Sequence, residues 1–496
     1  MIDVLLLNPR TENKASEVRK LKSAVYKDNV IHQTEEKLRE PPNGLLILAS
    51  LLEARNFSVE IVDASILKNP FQYIRDNADR FRMIGIGSLT NTFNKAVQLA
   101  KTAKRYNPNL YLVMGGPHAS FDYENILRNY PFVDLVCIGE AESTFPWIVE
   151  KLLLKSTIDM IYSDRDFAVS STYNFPGRVQ NILQDVDILP KGIAYLSKSF
   201  VDPFIKQLDL ADGDTSLSTT VKDDGKLIAT GFPDPIDLSA LPLPARHLLD
   251  RKYFTANILV NRGCSNECSF CSRTNLFPEM RLRPLDHVFD EIKQILSYKN
   301  YEFVNFYDNI NVNRAYFREF LDRLIRMDFP LPWGAEMRAD AIKVEDATLL
   351  KKAGCKLVAT GVESADKKVL KRNFKYQDPK KVATGIKNLK KAGIAIQAYF
   401  MIGLPGETPR SFRKTLKFLR NLPLENEVDT VNFFVTTPYP GSRLWFNQED
   451  FKIDVIVHNY NLYDCQHPIM ETESLDLGRI EHLIEEADSV SKELGF

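Results

Sequence analysis

Gly263-Cys264-Ser265-Asn266-Glu267-Cys268-Ser269-Phe270-Cys271 is the stretch on which the reading of this 496-residue chain turns. It holds three of the six cysteines in the spacing C-x3-C-x2-C; the others are Cys137, Cys355 and Cys465. A disulfide framework spreads its cysteines through a small secreted domain. A tight trio in a long chain without an export signal reads as metal ligands in a reducing cytoplasm. Three thiolates on one loop hold three irons of a cubane [4Fe-4S] cluster and leave the fourth iron open to a small molecule. A structural zinc site asks for four protein ligands, with Cys355 or Cys465 as the fourth. Free thiols buried in a core are the third reading, which a Gly/Ser/Asn loop serves poorly.

The chain on either side of the loop sets the fold. A strand is predicted just before it at Ala256–Asn261. Others follow at Phe303–Tyr307, Trp333–Met337, Leu357–Gly361, Ile394–Ile402 and Thr430–Val435. Helical patterns over Leu285–Ser297, Arg314–Met327, Val344–Ala353 and Asp378–Ala392 lie between them. Consecutive βα units of this kind make a full or partial (β/α)6 barrel, whose chemistry sits at the C-terminal strand ends. The first 155 residues also alternate, with strands at Asp3–Asn8, Ser58–Asp63, Met83–Ser88, Leu110–Met114 and Val133–Ile138. They predict a Rossmann/flavodoxin-like domain with its ligand crevice at the strand ends, near Asn8, Asp63, Ser88, Gly115, Gly116 and Gly139. Residues 156–250 lack periodicity and crowd Pro233, Pro235, Pro242 and Pro244 together, which reads as an irregular connector. After a core over 251–450, residues 451–496 read as a C-terminal helical extension, with one helix near Leu477–Leu494 and no clear strand. The fold class is α/β.

Composition narrows the function. Lys+Arg count 64 and Asp+Glu 65, a net charge of −1, so nothing favours a nucleic-acid partner or an acidic membrane surface. No apolar run reaches the length of a membrane span. The start, MIDVLLLNPR, reads as a first strand and not as a signal peptide. Asn8-Pro9-Arg10 stands where a dinucleotide fold would carry its glycine motif.

The cysteine loop after a barrel strand, with Phe270 as its aromatic residue, resembles the radical S-adenosylmethionine (SAM) enzymes. The resemblance implies that Cys264, Cys268 and Cys271 ligate a [4Fe-4S] cluster whose open iron is chelated by SAM. One electron then cleaves SAM to a 5′-deoxyadenosyl radical. It implies SAM contacts at later strand ends: Phe270, Asp308, Arg338 (with Glu336 and Asp340 beside it), Glu363, Ser364, Gly403, Gly406 and Glu407. Asn309 departs from the family's acidic pair, which leaves Asp308 for the SAM amine. Pro438-Tyr439-Pro440-Gly441 resembles a pocket-closing loop of the cobalamin-containing branch.

Placed before such a barrel, the first domain resembles the cobalamin-binding domain of that branch. Gly115-Gly116-Pro117-His118-Ala119-Ser120, the Cys137–Glu142 segment and Pro41-Pro42-Asn43-Gly44 carry the likeness. Ser88, Thr90, Gly115, Gly116, His118, Gly139 and Glu140 are the implied cobalamin contacts. No D-x-H-x-x-G follows strand one, so no histidine from that motif ligates cobalt, and His118 is expected to pack on the corrin or its tail. A methylthiotransferase needs three more N-terminal cysteines, and only Cys137 precedes the barrel. Cys137 and Cys355 read as structural, and Cys465 as a residue facing substrate or structure.

The resemblance implies a cobalamin-dependent radical SAM methyltransferase. It acts on an unactivated carbon or phosphorus of a small molecule or peptide, through the deoxyadenosyl radical and methylcobalamin. Its implied electron donor is a flavodoxin or ferredoxin. A cyclase or rearrangement enzyme without net methyl transfer is the first alternative. A non-catalytic cluster or cobalamin sensor is the second.

Overall fold

The computed structural model of the chain describes residues 1–9, 40–163, 183, 189–196, 226–249, 253–307 and 309–496. Among these, Met1–Pro9 with Pro42–Leu249 form one compact unit, and Glu40–Pro41 with Tyr253–Phe496 form a second.

The first unit is built on β1 (Ile2–Asn8), β2 (Val59–Asp63), β3 (Phe81–Gly87), β4 (Tyr111–Gly115) and β5 (Leu135–Cys137). They are parallel in the order β2-β1-β3-β4-β5, the flavodoxin-like winding expected from the alternation. Val4–Leu7 of the interior strand β1 are at most 1% exposed, because helices cover both faces of the sheet and leave no room for polar alternation. Those helices are α1 (Asn43–Glu53), α2 (Pro70–Asn77), α3 (Phe93–Tyr106), α4 (Pro117–Asn129) and α5 (Ala141–Ser163). Asn69 starts α2 by accepting the Gln72 N–H at 3.0 Å, with Pro70 supplying the first helical φ. Gly85 lets α5 lie close to β3, since a β-carbon there would stand 2.9 Å from Phe145 Cζ.

The stretch 156–250 is not wholly irregular. It adds β6 (Ile193–Leu196) and β7 (Leu227–Ala229), which extend the sheet antiparallel beyond β5. Two strands of three and four residues are too short to show a period of two.

The second unit holds six parallel strands in the order β15-β14-β13-β12-β11-β8. They are β8 (Thr255–Leu259), β11 (Phe303–Tyr307), β12 (Trp333–Glu336), β13 (Cys355–Glu363), β14 (Ala395–Ile402) and β15 (Thr430–Val435). Each overlaps its predicted strand. Ala256, Ile258, Val304, Phe306, Val358, Ile396, Ala398 and Phe400 point one way and are fully buried. The opposite face is polar. The helices Leu285–Ser297, Arg314–Arg326, Val344–Lys352 and Pro379–Lys391 match expectation to within a residue at each end. A small antiparallel pair, β9 (Asn261–Arg262) with β10 (Arg281–Leu282), brackets the cysteine loop.

The C-terminal extension is not purely helical. Its helix spans Leu477–Glu493, and β16 (Ile453–Val455) pairs antiparallel with β17 (Met470–Thr472) over a cluster that includes Leu444, Tyr463 and Ile469. Among the described residues no helix is long and apolar enough to cross a membrane.

Candidate functional site

The cysteine loop leaves β9 through Gly263, whose φ is 84° and whose added β-carbon would lie 2.1 Å from the Glu279 carbonyl oxygen. Only glycine makes that turn. Cys264, Cys268 and Cys271 are free and partly buried. Burial pushes the Cys268 thiol up to about 11, with Lys375 opposing the rise and Cys271, Glu363 and Cys264 adding to it; burial also raises Cys271, with Arg273 opposing and Cys264 adding. Among the described residues no three His, Cys, Asp or Glu side chains converge on one ion. The C-x3-C-x2-C spacing of the loop suits a cubane, in which each thiolate takes its own iron. The surroundings suit it too. Asn266 donates to Cys264 Sγ from its backbone N (3.4 Å) and its Nδ2 (3.3 Å). Hydrogen bonds to sulfur stabilise the thiolate form.

Arg338 sits behind Asn266. Its Nη1 donates to Asn266 Oδ1 at 2.6 Å, its Nε and Nη2 grip Asp340 at 3.0 and 2.8 Å, and Nη2 also reaches the Tyr376 carbonyl at 2.7 Å. A guanidinium so engaged holds the cysteine loop in place and has little left for the two-pronged grip on a SAM carboxylate expected of it. Glu363, at φ 58°, is 7% exposed and pairs with Lys375 at 3.0 Å. Burial opposes the Lys375 charge, but Glu363 and Cys268 outweigh it and hold the ammonium form. Ser364 is buried between Thr415 and the Asp366 N–H and is a structural hydroxyl. Gly403 and Gly406 both take positive φ, 82° and 81°, at the end of β14. Glu407 is fully buried and binds the Gly403 N–H. Phe270 packs on Val369, Met401 and Leu404 at the same end of the sheet. Asp308 lies outside the described residues.

Sequence reasoning missed the polar face of the strands. By register, Asn257, Asn305, Tyr307, Glu336, Gln397, Tyr399 and Asn432 share it. Glu40 reaches in among them, accepting from Asn305 Nδ2 at 3.2 Å and from the Tyr307 hydroxyl. Loss of water around that carboxyl pushes its pKa up, the bonds from Asn305 and Asn257 oppose the rise, and the Glu336 charge adds to it. Burial and the Glu336, Glu40 and Glu363 carboxylates likewise raise Tyr399. The period-two polarity of these strands is the signal that could have found the face. Cys465, at φ 61°, meets the Tyr439 hydroxyl at 3.1 Å.

In the first unit the residues expected around the crevice lie at the strand ends, with some differences in their packing. Gly116 has φ 92°, and a β-carbon there would lie 2.8 Å from Ser88 O, so the β3 and β4 ends touch. Ser88 and Thr90 are buried, whereas Leu89 between them is 54% exposed and presents an apolar surface at the crevice. Gly115 would meet only Cys137 at 3.5 Å. His118 is not placed for a corrin. It is 1% exposed, packed on Phe93 at 4.2 Å between Thr90 (3.3 Å) and Asp122 (3.3 Å). Gly139 and Glu140 are covered by the chain's own connector: a Gly139 β-carbon would strike Pro233 at 2.8 Å, and Glu140 accepts the Ile236 N–H at 2.9 Å. At these strand ends Leu89 is the exposed side chain, and the Gly115-Gly116 turn lies against Ser88 and Cys137.

Fold and site together define a class: a cobalamin-domain radical SAM protein. Residues 34–149 match the B12 binding domain and residues 258–419 the Radical SAM superfamily. The chain thus carries a B12 binding domain followed by a Radical SAM domain. It is similar to an uncharacterized methyltransferase of Pyrococcus horikoshii, at 28% identity over 90% of this chain and 86% of that one. It is also similar to the anaerobic magnesium-protoporphyrin IX monomethyl ester cyclase of Rubrivivax gelatinosus, at 26% identity over 89% and 71%. Its fold matches that of the radical SAM methyltransferase TsrM from Kitasatospora setae, with a TM-score of 0.64 at 15% identity over 98% of this chain and 89% of that one.

Proposed function

We infer that this enzyme transfers a methyl group to an unactivated carbon or phosphorus centre of a small molecule or peptide. The observation that carries the reading is the thiol trio on the Gly263 turn at the C-terminal end of the strands, beside a polar strand face. When bound, the cluster with SAM supplies a carbon-centred radical, and cobalamin supplies the transferable methyl group. A centre without an acidic proton gives a general base nothing to remove, which is why such chemistry is needed.

The chain's own residues bind and orient. Cys264, Cys268 and Cys271 hold three irons, Asn266 donates to the first sulfur, and Arg338 fixes Asn266. Phe270 and the Gly403–Gly406 turn give SAM an apolar wall and close backbone approach. Asn257, Asn305, Tyr307, Gln397 and Asn432 offer donors and acceptors that fix the substrate, and the Glu40 carboxyl accepts from Asn305 and Tyr307 beside them. Leu89 and the Gly115-Gly116 turn receive the corrin. We take residues 1–155 with the β6–β7 pair as the cobalamin domain and 251–450 as the radical core. A reduced flavodoxin or ferredoxin supplies the electron, and the thiol chemistry suits the reducing cytoplasm.

Anaerobic reconstitution with iron, sulfide and hydroxocobalamin, followed by product analysis, tests this. Methyl transfer yields S-adenosylhomocysteine together with 5′-deoxyadenosine. The second reading, cyclisation without net methyl transfer, is favoured by the likeness to the Rubrivivax cyclase and yields 5′-deoxyadenosine alone.

A further inference from the structure

Radical formation at the cysteine loop draws one electron from outside the chain, and the inference that follows rests on that reading. A groove of about 630 Å³ opens on the second unit. Lys368, Lys371, Arg372 and Arg443 line it with Phe374 and Phe451, and Asp450 is the one carboxylate among its lining residues. Arg443 spends part of its charge on Glu267 at 2.8 Å. Lys368 and Lys371 are exposed and have no ion pair among the described residues. Arg372 stands over the Phe451 ring at 5.7 Å and Arg443 over Phe374 at 4.9 Å, which holds both guanidinium groups in fixed directions. Tyr376, on the rim, is 61% exposed. Fixed cations around an aromatic floor make a surface for a protein with a negative face.

The same groove is bonded to the cysteine loop. Ser269, between Cys268 and Cys271, donates its N–H to Asn373 O at 3.0 Å and its hydroxyl to Asn373 Oδ1 at 2.7 Å. Leu444 N–H donates to Ser269 O at 3.0 Å. Asn373 precedes Phe374 in the groove wall, and Leu444 follows Arg443. On the other side Arg338 links the Tyr376 carbonyl to Asn266. Both walls of the groove are thus one hydrogen bond from residues of the cluster loop.

We propose that this groove docks an acidic one-electron carrier protein, and that the Asn373–Ser269 and Leu444–Ser269 bonds couple the docked carrier to the cysteine loop. One electron leaves the reduced carrier, which is oxidised by one unit, and enters the cluster held by the three thiolates. No proton moves and no bond is made or broken in the step.

The test titrates a bacterial flavodoxin into the reconstituted enzyme, following binding by calorimetry, for wild type, K368E/K371E and the control K151E on the first unit. Wild type and K151E should bind alike, with affinity falling as salt rises. The double variant should bind at least ~10-fold more weakly, the scale expected when facing charges are reversed at an interface. Its 5′-deoxyadenosine formation with dithionite should equal wild type, while formation driven by flavodoxin should fall by a similar factor. Equal affinity in wild type and K368E/K371E overturns the docking site. So does salt-independent binding, or capture of single-stranded RNA in place of the carrier. Absence of 5′-deoxyadenosine from wild type with dithionite sinks the radical reading itself, a separate result.

Discussion

Replacing Glu407 by glutamine should remove a pH dependence from the stability of the second unit. Glu407 has no exposed surface; its Oε2 accepts the Gly403 N–H at 2.8 Å, and its Oε1 meets no partner among the described residues. Burial pushes its pKa up to about 8 from 4.5, against the N–H groups of Gly403 and Leu404 and with a further push from Asp366. At neutral pH the carboxyl is therefore protonated in the folded chain and ionised in the unfolded one. Between the two pKa values the folded state carries the extra proton, so each rising pH unit removes ~1.4 kcal/mol of stability. The whole contribution, on the order of 5 kcal/mol, is present below the unfolded pKa and lost as pH climbs through the folded one. A glutamine copies the neutral acid: its oxygen can keep the Gly403 bond while its amide fills the unpartnered position. Urea denaturation of the anaerobic full-length chain, at about pH 6 and about pH 8, should show wild type losing ~2.5 kcal/mol relative to E407Q. Parallel profiles for the two proteins, or a glutamine variant weaker by the same amount at both pH values, would refute the reasoning.

Other outcomes follow from single contacts. Gly263→Ala forces a β-carbon 2.1 Å from a backbone oxygen at φ 84°, so iron retained after reconstitution should drop severalfold while far-ultraviolet circular dichroism stays native; full iron content counts against the turn's role. Lys375→Met strands the buried Glu363 carboxylate and should cost about 3–5 kcal/mol in urea denaturation. Gly85→Val presses on Phe145, 2.9 Å from the new β-carbon, and should destabilise the first unit by about 1–3 kcal/mol, visible as an earlier melting step. Alanine at Cys264, Cys268 or Cys271 should abolish the visible absorption of the cluster and SAM cleavage together, and retained absorption would break the link between them.

The strands that carry both units were legible because each is bounded by helix patterns and buried on at least one face. Val4–Leu7 and the Ile394–Ile402 run are examples. The cysteine loop was legible because its spacing is chemistry in itself. His118 was not: its neighbours Gly115 and Gly116 do mark the crevice, but its burial against Phe93 and Asp122 is decided by tertiary packing that a glycine motif does not encode. Glu140 misled in the same way, since its partner Ile236 lies 96 residues further on. Glu40 meets Asn305 across 265 residues, a separation at which local pattern is silent. The strand pairs β6–β7 and β16–β17 are so short that their pairing, not their sequence, makes them strands.

The order of the six parallel strands runs from β15 to β8 without returning, and among the described residues neither of those two edges pairs with another strand. A closed ring of eight strands fixes its bore by hydrogen bonding and fills it with side chains. An arc imposes no such circumference. Its concave side is a trough open along one flank, so a bulky or elongated molecule can lie in it sideways with one atom at the reacting end and its bulk outside. Substrate size in such an enzyme is set by what caps the flank, and not by the sheet.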